Sequence, residues 1–357
     1  MSDRDAGAPA EVLTPEAERF LAGFRARYSA DEVITRLDAL SQLRVLVIGD
    51  AIVDEYHFVQ PYGMPTKAPV IAARFLDAET YAGGCFAVAN HVAGFCREVH
   101  LVTCLGADDP REEFARRHLL PNVTAQFFTQ PGRPTTIKRR YLRRFLYQKL
   151  FEVSFFDDRP IDGDVERQLL AHLLGVIDGY DLVLAADFGH GLITRTVLEM
   201  LCAQSRFLAV NTQLNSINYG YHLITRYHRA DYVCIDEEES RMACRDRLAP
   251  LEDIVRRLSV ELRCGLITVT RGHHGSLTLG AEGETAEVPV LSRLVVDPVG
   301  AGDAYLSVAA PCARLGYPPE LTGFLGNAVG ALAVRIVGNA QPVTPEALKR
   351  FIRAVLT

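Results

Sequence analysis

Two aspartates bracket a glycine turn in the stretch VDPVGAGDAY, residues 296–305. Asp297 follows the apolar run Leu294-Val295-Val296, which has the pattern of a strand end. Gly300 and Gly302 flank Ala301, and Asp303 comes immediately after. A glycine turn that opens a helix presents backbone N–H groups without intrahelical partners, and the helix dipole adds positive potential at the same place. Such a site favours a phosphate or a developing oxyanion, and the missing Cβ atoms at Gly300 and Gly302 let the backbone approach it closely. Asp303, in the first helical turn, is placed to take a proton from a hydroxyl nucleophile. With a reference pKa of about 3.9 it is ionised at neutral pH. Asp297 has two readings, a part in the chemistry or the positioning of the turn. Taken alone, the same residues also describe an ordinary helix start with an acid favoured by the dipole. No GxxxxGK[ST] occurs, so the turn is not a Walker loop.

Further polar residues stand at the ends of apolar runs. GDAIVD (49–54) carries Asp50 and Asp54, and AADFGHG (185–191) carries Asp187 and His190. In IDEEES (235–240) Asp236 and Glu239 are three apart, so both acids share one helix face. Lys138 and Arg140 are two apart in TTIKRRYL, and strand alternation puts both on one side. The adjacent His273 and His274 in TRGHHGS point apart on an extended loop, which favours loop or nucleotide contacts over a shared metal.

These residues need elements to hold them. Short apolar runs at 44–50, 99–109, 180–191, 206–213, 230–239 and 264–272 predict buried strands that end in polar or glycine residues. Helical patterns fall between them at 110–119, 164–178, 194–204, 250–262, 302–315 and 344–356. Helices are also expected over 14–40, with Pro15 at one start and a Ser29…Glu32 capping box at another. Alternating strands and helices imply a mostly parallel sheet covered on both faces, with ligands at the carboxyl ends of the strands. Two β-rich segments, about 56–82 and 123–156, interrupt the alternation and predict a small second sheet acting as a lid. The division expected is a helical extension over 1–42 and one domain over 43–357.

Composition narrows the function. The chain of 357 residues is 48% hydrophobic and 23% charged with net charge −6, values of an ordinary globular protein. The acidic balance argues against a polyanion binder, and the richest basic segment, Lys138-Arg139-Arg140 with Arg143-Arg144, is interleaved with aromatics. No nucleic-acid partner is expected. The N-terminus has no secretory pattern and no apolar run approaches the ~18–20 residues of a membrane span, so a cytoplasmic location is expected. Eight cysteines without CxxC spacing imply reduced, mostly buried thiols rather than a zinc site.

The glycine turn resembles the D-x-x-G-A-G-D signature of ribokinase-like (PfkB-type) carbohydrate kinases, and the resemblance extends from about Arg44 to Thr357. It implies a three-layer αβα fold with a small β-sheet lid, ATP and Mg²⁺ as cofactors, and phosphoryl transfer to a sugar hydroxyl. Gly300, Ala301 and Gly302 then correspond to the anion hole and Asp303 to the catalytic base. Asp50 and Asp54 match acids that bind sugar hydroxyls, and Gly83 and Gly84 match the G-G-x-x-N-x-A motif. Asp236 and Glu239 stand for the N-x-x-E motif associated with phosphate and magnesium, Glu239 being the metal candidate. Thr270, Gly272, Gly275 and Asn327 fall where that family lines its nucleotide.

GDAIVDEYHF, PTTIKRRYL and AADFGHGLIT are further similar to segments of the heptose-7-phosphate kinases of bacterial ADP-heptose synthesis. By that similarity Lys138 and Arg140 hold a substrate phosphate, Asp187 and His190 line the site, and O1 of a heptose 7-phosphate is the acceptor. Three positions depart from the pattern: Ala87 replaces an Asn, His190 a Lys, and Asp236 an Asn. The first two lie on the acceptor side and leave a different sugar or a nucleoside open as the substrate. A silent binding protein on the same fold is the reading from another class, against which the intact Asp303 and glycine turn argue. No H-x-G-H motif occurs, so no nucleotidyltransferase activity is expected of this chain. Two assemblies stay open: a homodimer through pairing of the lid strands, or a lid whose edges are capped internally.

Overall fold

A computed structural model describes residues 13–63, 70–215 and 218–357. Its main sheet has nine strands: β1 (Arg44–Gly49), β4 (Glu98–Gly106), β5 (Val123–Gln130), β8 (Leu182–Asp187), β9 (Leu208–Thr212), β10 (Tyr232–Asp236), β11 (Leu266–Thr270), β12 (Ser276–Leu279) and β13 (Thr285–Val288). They lie in the order β13-β12-β11-β10-β9-β8-β1-β4-β5. Pairing is parallel from β5 to β11, and the antiparallel hairpin β12–β13 closes one edge.

The strands are apolar on both faces because both faces are covered. In β1, Val45 and Val47 enter one core cluster while Leu46 and Ile48 enter the other. In β8, Leu182 and Leu184 divide from Val183 and Ala185 in the same way. A period of two thus feeds two cores, which makes three layers. One face carries α5 (Gly163–Val176), α6 (Arg195–Gln204) and α8 (Leu251–Glu261). The other carries α3 (Cys85–Phe95), α9 (Ala301–Arg314), α10 (Pro319–Ala333) and α11 (Pro345–Leu356). Two shorter helices, α4 (Glu112–His118) and α7 (Glu237–Ala243), complete the connections. Among the described residues no helix is long and apolar enough to cross a membrane.

The first helices, α1 (Pro15–Arg25) and α2 (Ala30–Ala39), join this core. Phe24 stacks on Phe324 of α10 at 4.3 Å, and Arg25 donates to the Val355 carbonyl of α11. The capping box expected at Ser29 is half formed. Ser29 Oγ accepts from the Glu32 N–H at 3.2 Å, but the Glu32 carboxylate pairs with Arg36 on the next turn.

A second sheet, in the order β3-β2-β6-β7, forms the lid from β2 (Ala51–Gly63), β3 (Ala72–Gly84), β6 (Thr136–Arg143) and β7 (Gln148–Phe155). Its boundaries correct the sequence expectation. The lid begins at Ala51, one residue past β1, so only Asp50 separates the two sheets. Residues 123–130, expected in the lid, form β5 and pair with β4 through eight register positions from Val99↔Val123 to Gly106↔Gln130. Residues 64–69 of the expected lid lie outside the described residues. The lid has a small core of its own, Tyr56, Phe58, Tyr81 and Leu142.

Candidate functional site

The order of the sheet reverses at β1, which has β4 on one side and β8 on the other. Open α/β sheets bind ligands in the crevice at that point. The N-terminus of α9 faces it. Gly300 caps the helix in the left-handed region (φ +83°), where a Cβ would lie 2.1 Å from Asn339 Oδ1, so glycine is required twice over. At Gly302 a Cβ would meet nothing within 4 Å, so the cradle opens onto free space. Val299 N–H donates to Asp297 Oδ1 and Ala301 N–H to the Pro298 carbonyl. The turn therefore offers the N–H groups of Gly302 and Asp303, while that of Ala301, also expected in the anion hole, is already engaged. Leu294–Val296 is not a strand. It has no ladder partner among the described residues and leaves all three side chains exposed beside the turn.

Asp303 is 7% exposed, and Gln213 Nε2, at the end of β9, donates to its Oδ1 at 3.2 Å. Burial and the nearby Asp54 carboxylate push its pKa up to about 7, against the opposing pull of Lys138 and Gln213. The expectation of an ordinary carboxylate, fully ionised at neutral pH, is thereby corrected: its surroundings raise Asp303 into the neutral range.

Asp297 behaves oppositely. It is 1% exposed, and burial alone would disfavour its charge, yet donors from Lys149, Tyr56, Gly338 and Val299 hold its pKa below the usual carboxylate range. It positions the turn.

On the acceptor side, Asp54 Oδ1 binds Arg140 Nη1 at 2.5 Å, and Arg140 Nε binds Glu152 at 2.8 Å. A Cβ at Gly83 would lie 2.1 Å from Asp54 Oδ2, which explains that glycine, and one at Gly84 (φ +52°) would meet the Asp50 carbonyl at 2.7 Å. Lys138 lies among Asp54, Glu152, Arg140 and Asp303. Burial lowers its pKa, and it makes no ion pair among the described residues. The two cations read from one alternating face are thus unlike: Arg140 is neutralised by two carboxylates, and Lys138 is free for an anion. His190 is 5% exposed, neither ring nitrogen has a hydrogen-bond partner among the described residues, and burial lowers its pKa. An unpaired buried imidazole of this kind awaits a partner.

Two acids expected to touch the acceptor are engaged elsewhere. Asp50 accepts from the N–H groups of Phe188, His190 and Leu192, so it fixes the loop that carries His190. Asp187 is buried against His222, Arg226 and Tyr227 at 3.0, 3.1 and 2.9 Å. Both carboxylates satisfy groups that would otherwise be orphaned, which is why they face inward. Ala87 is buried in α3.

On the opposite side, Asp236 and Glu239 form a reciprocal capping box on α7. Asp236 Oδ1 accepts from the Glu239 N–H at 2.7 Å and Glu239 Oε2 from the Asp236 N–H at 2.8 Å. Glu239 Oε1 also accepts from the Leu214 N–H, one residue past Gln213. Burial and Asp236 raise the Glu239 pKa to about 8, while Asp236 remains exposed. Thr270 ends β11. Gly272 (φ +53°) opens onto space and Gly275 (φ +86°) packs against Val288. Asn327 is buried, and its amide nitrogen donates to Ser276 Oγ and the Gly323 carbonyl.

Among the described residues no three His, Cys, Asp or Glu side chains form a metal cage. One exposed and one buried carboxylate suit an ion that brings most of its shell with phosphate oxygens and water, the usual habit of Mg²⁺. All eight cysteines are free and at least half-buried.

Comparison with known proteins settles the family. The model of the pfkB family carbohydrate kinases matches residues 42–346. The chain belongs to that family. It is a phosphotransferase acting on a hydroxyl acceptor. The Bifunctional protein HldE of Trichlorobacter lovleyi is 27% identical over 311 residues, 85% of this chain and 62% of that protein, so the chain spans under two thirds of this relative's length. The tetrameric inhibited form of phosphofructokinase-2 from Escherichia coli has a similar fold, with a TM-score of 0.69 over 88% of this chain and 99% of that one at 14% identity. Ribokinase from Arabidopsis thaliana complexed with ribose and ATP gives 0.64 over 87% and 99% at 16% identity.

For a pfkB kinase of this kind, sequence reasoning missed Gln213, Glu152 and Lys149. Gln213 had a signal, since it closes a strand-end run RFLAVNTQ of the type that carries the other site residues. Glu152 and Lys149 had none, because their partners, Arg140 on the neighbouring lid strand and Asp297 at the glycine turn, lie 12 and 148 positions away in sequence and meet them only in the fold.

Proposed function

We propose that the chain is an ATP-dependent kinase that phosphorylates O1 of a heptose 7-phosphate. The observation that carries this reading is the juxtaposition of a buried Asp303, tuned to about 7, with the unpaired Lys138 at the mouth of an open glycine cradle. The acceptor hydroxyl gives its proton to Asp303, its oxygen forms the bond to the γ-phosphorus, and the bond from that phosphorus to the β,γ-bridging oxygen breaks, releasing ADP. The N–H groups of Gly302 and Asp303 meet the charge of the transferred group; positioning and electrostatics of this sort supply most of the catalysis in phosphoryl transfer. Lys138 holds the acceptor's own phosphate as a point charge. His190 offers its two free nitrogens to acceptor hydroxyls. Thr270, Gly272 and the exposed Leu294–Val296 line the base and ribose. Asp236 and Glu239 would hold Mg²⁺ through water and phosphate, and the ion supplies neutralisation of the β- and γ-oxygens.

Heptose as the acceptor is supported by three segments similar to heptose-7-phosphate kinases and by the match to the Bifunctional protein HldE. Incubation with ATP, Mg²⁺ and a panel of heptose and hexose phosphates, read by mass spectrometry, tests it. A bisphosphate from heptose 7-phosphate at the highest kcat/KM is expected. Faster turnover of a hexose phosphate or a nucleoside would move the assignment to that acceptor.

The outer face of the lid supports a second part of the reading, a homodimer. Phe151, Val153 and Phe155 alternate along β7 and are all exposed, as is Phe75 on β3. Sedimentation of the wild type against Phe151→Glu should show a dimer falling to a monomer.

A further inference from the structure

The aspartate behind the turn is neutralised by the lid. Asp297 Oδ1 accepts from Lys149 Nζ at 2.7 Å and from the Val299 N–H at 3.2 Å; Oδ2 accepts from Tyr56 Oη at 2.7 Å and from the Gly338 N–H at 2.9 Å. Tyr56 is on β2 and Lys149 on β7, so two of the four donors belong to the second sheet. The pairing of β6 with β7 passes from Tyr141↔Phe151 to Leu142↔Lys149, which leaves Leu150 as a bulge. Bulges re-aim the neighbouring side chain, and here Lys149 is turned across Tyr56, with its ammonium 5.8 Å from that ring, onto Asp297. The remaining contacts tie the turn to the loop after α10. The N–H groups of Val296 and Asp297 both donate to the Val334 carbonyl, and Asn339 packs against Gly300. Among the described residues Lys149 is therefore the single cation that touches the carboxylate setting the shape of the anion cradle.

We propose that Lys149 is a positioning residue that acts as the built-in counter-cation of the phosphate turn, joining the lid to the cradle and freeing the cradle from any need for a monovalent cation from solution. A buried carboxylate left without its charged partner is costly and recruits a cation or changes its surroundings. In the native chain the ammonium fills that place. Without it, Asp297 is still held by three neutral donors, so the turn persists but loses its fixed charge balance. The inference rests on the kinase reading for its activity readout, not on heptose being the acceptor.

The test uses the full-length wild type, Lys149→Met and Lys149→Arg, each assayed with ATP, Mg²⁺ and the best acceptor of the panel above. Buffers contain tetramethylammonium chloride alone or with ammonium or potassium chloride at the same ionic strength. Wild type and Lys149→Arg should vary by less than about twofold among the salts. Lys149→Met should lose about tenfold or more in kcat in tetramethylammonium and regain a large part of it, saturably, with ammonium or potassium. Thermal unfolding in each salt separates this from general destabilisation, because a merely structural lysine gives a loss that no small cation restores. Full activity of Lys149→Met without added cation would overturn the proposal, as would loss without rescue or equal stimulation of the wild type. Should Lys149→Met not fold, Lys149→Gln serves in its place. If no acceptor turns over, calorimetric binding of a non-hydrolysable ATP analogue in the same salts keeps the test separate from the kinase reading. Cation-dependent binding by the variant alone is then the supporting result.

Discussion

The pocket behind the glycine turn and the cleft in front of it each hold one aspartate, six residues apart, and the two carboxylates are treated in opposite ways. Among the described residues Asp297 receives four donors and its pKa falls; Asp303 receives one, lies near Asp54, and its pKa rises to about 7. Both carboxylates are almost closed to solvent. Hydrogen bonds to the charged form hold Asp297 ionised, whereas burial, with the Asp54 carboxylate adding to it, pushes Asp303 up. One residue type within one short stretch thus gives an anchored carboxylate and, on the reading proposed above, a base.

The strongest way to break this comparison is at the base. Asp303→Asn should cut kcat by about 10³ or more, with the KM for ATP changed less than about threefold, since base removal in a positioned site commonly costs that order. Near-normal turnover would make Asp303 no base. Next comes the anchor. Asp297→Ala leaves Tyr56 and the Gly338 N–H without an acceptor, at about 1–3 kcal/mol each. It should lower both Tm and kcat, the latter by about 10–100-fold, whereas Asp303→Asn should leave Tm intact or raise it. Loss of stability in both variants would erase the distinction. Gly302→Ala separates shape from charge: with open space around the new methyl, Tm should hold, while kcat/KM for ATP falls about tenfold because the methyl intrudes where an anion sits.

Smaller effects come from the tuning of Asp303. Gln213→Ala removes a donor that lowers its pKa, so the midpoint of the rate profile should move up, with kcat reduced about two- to fivefold at pH 7 and recovered by pH 9. The sign for stability is the reverse of the usual salt-bridged carboxylate. The folded pKa lies above the unfolded value, so the native state binds the extra proton and stability falls as pH rises from about 4 to about 7. Thermal melts at pH 5 and pH 8 should show Asp303→Asn gaining on the wild type at the higher pH only.

Much of this site was legible because its parts are contiguous. The cradle is seven consecutive residues, and the turn chemistry of Gly300 and Gly302 follows from residue type alone. The strands of the parallel sheet were legible because each is a short apolar run with a polar end. What escaped was set by distance or by uniformity. Helices α3 and α10 are buried almost all round, so they carry no polar stripe to give a period. The segment VTAQFFTQ of β5 mixes polar and apolar residues because it is an edge strand, so its pattern does not differ from that of the lid strands that follow it. Asp50 and Asp187 carried acids to the correct strand ends, yet only the folded loop after β8 shows that both are turned inward. The pairing of Arg140 with Asp54 and Glu152, which leaves Lys138 without an ion pair among the described residues, depends on cross-strand neighbours that no local pattern encodes.

The central claim is that Asp303 is a proton acceptor tuned to neutrality by its surroundings. The most direct measurement is kcat at saturating ATP and acceptor from pH 5.5 to 9, for the wild type and Gln213→Ala. A rise through a single ionisation near 7 that moves upward in the variant is the result predicted. A flat profile, or a midpoint the variant leaves in place, would contradict it.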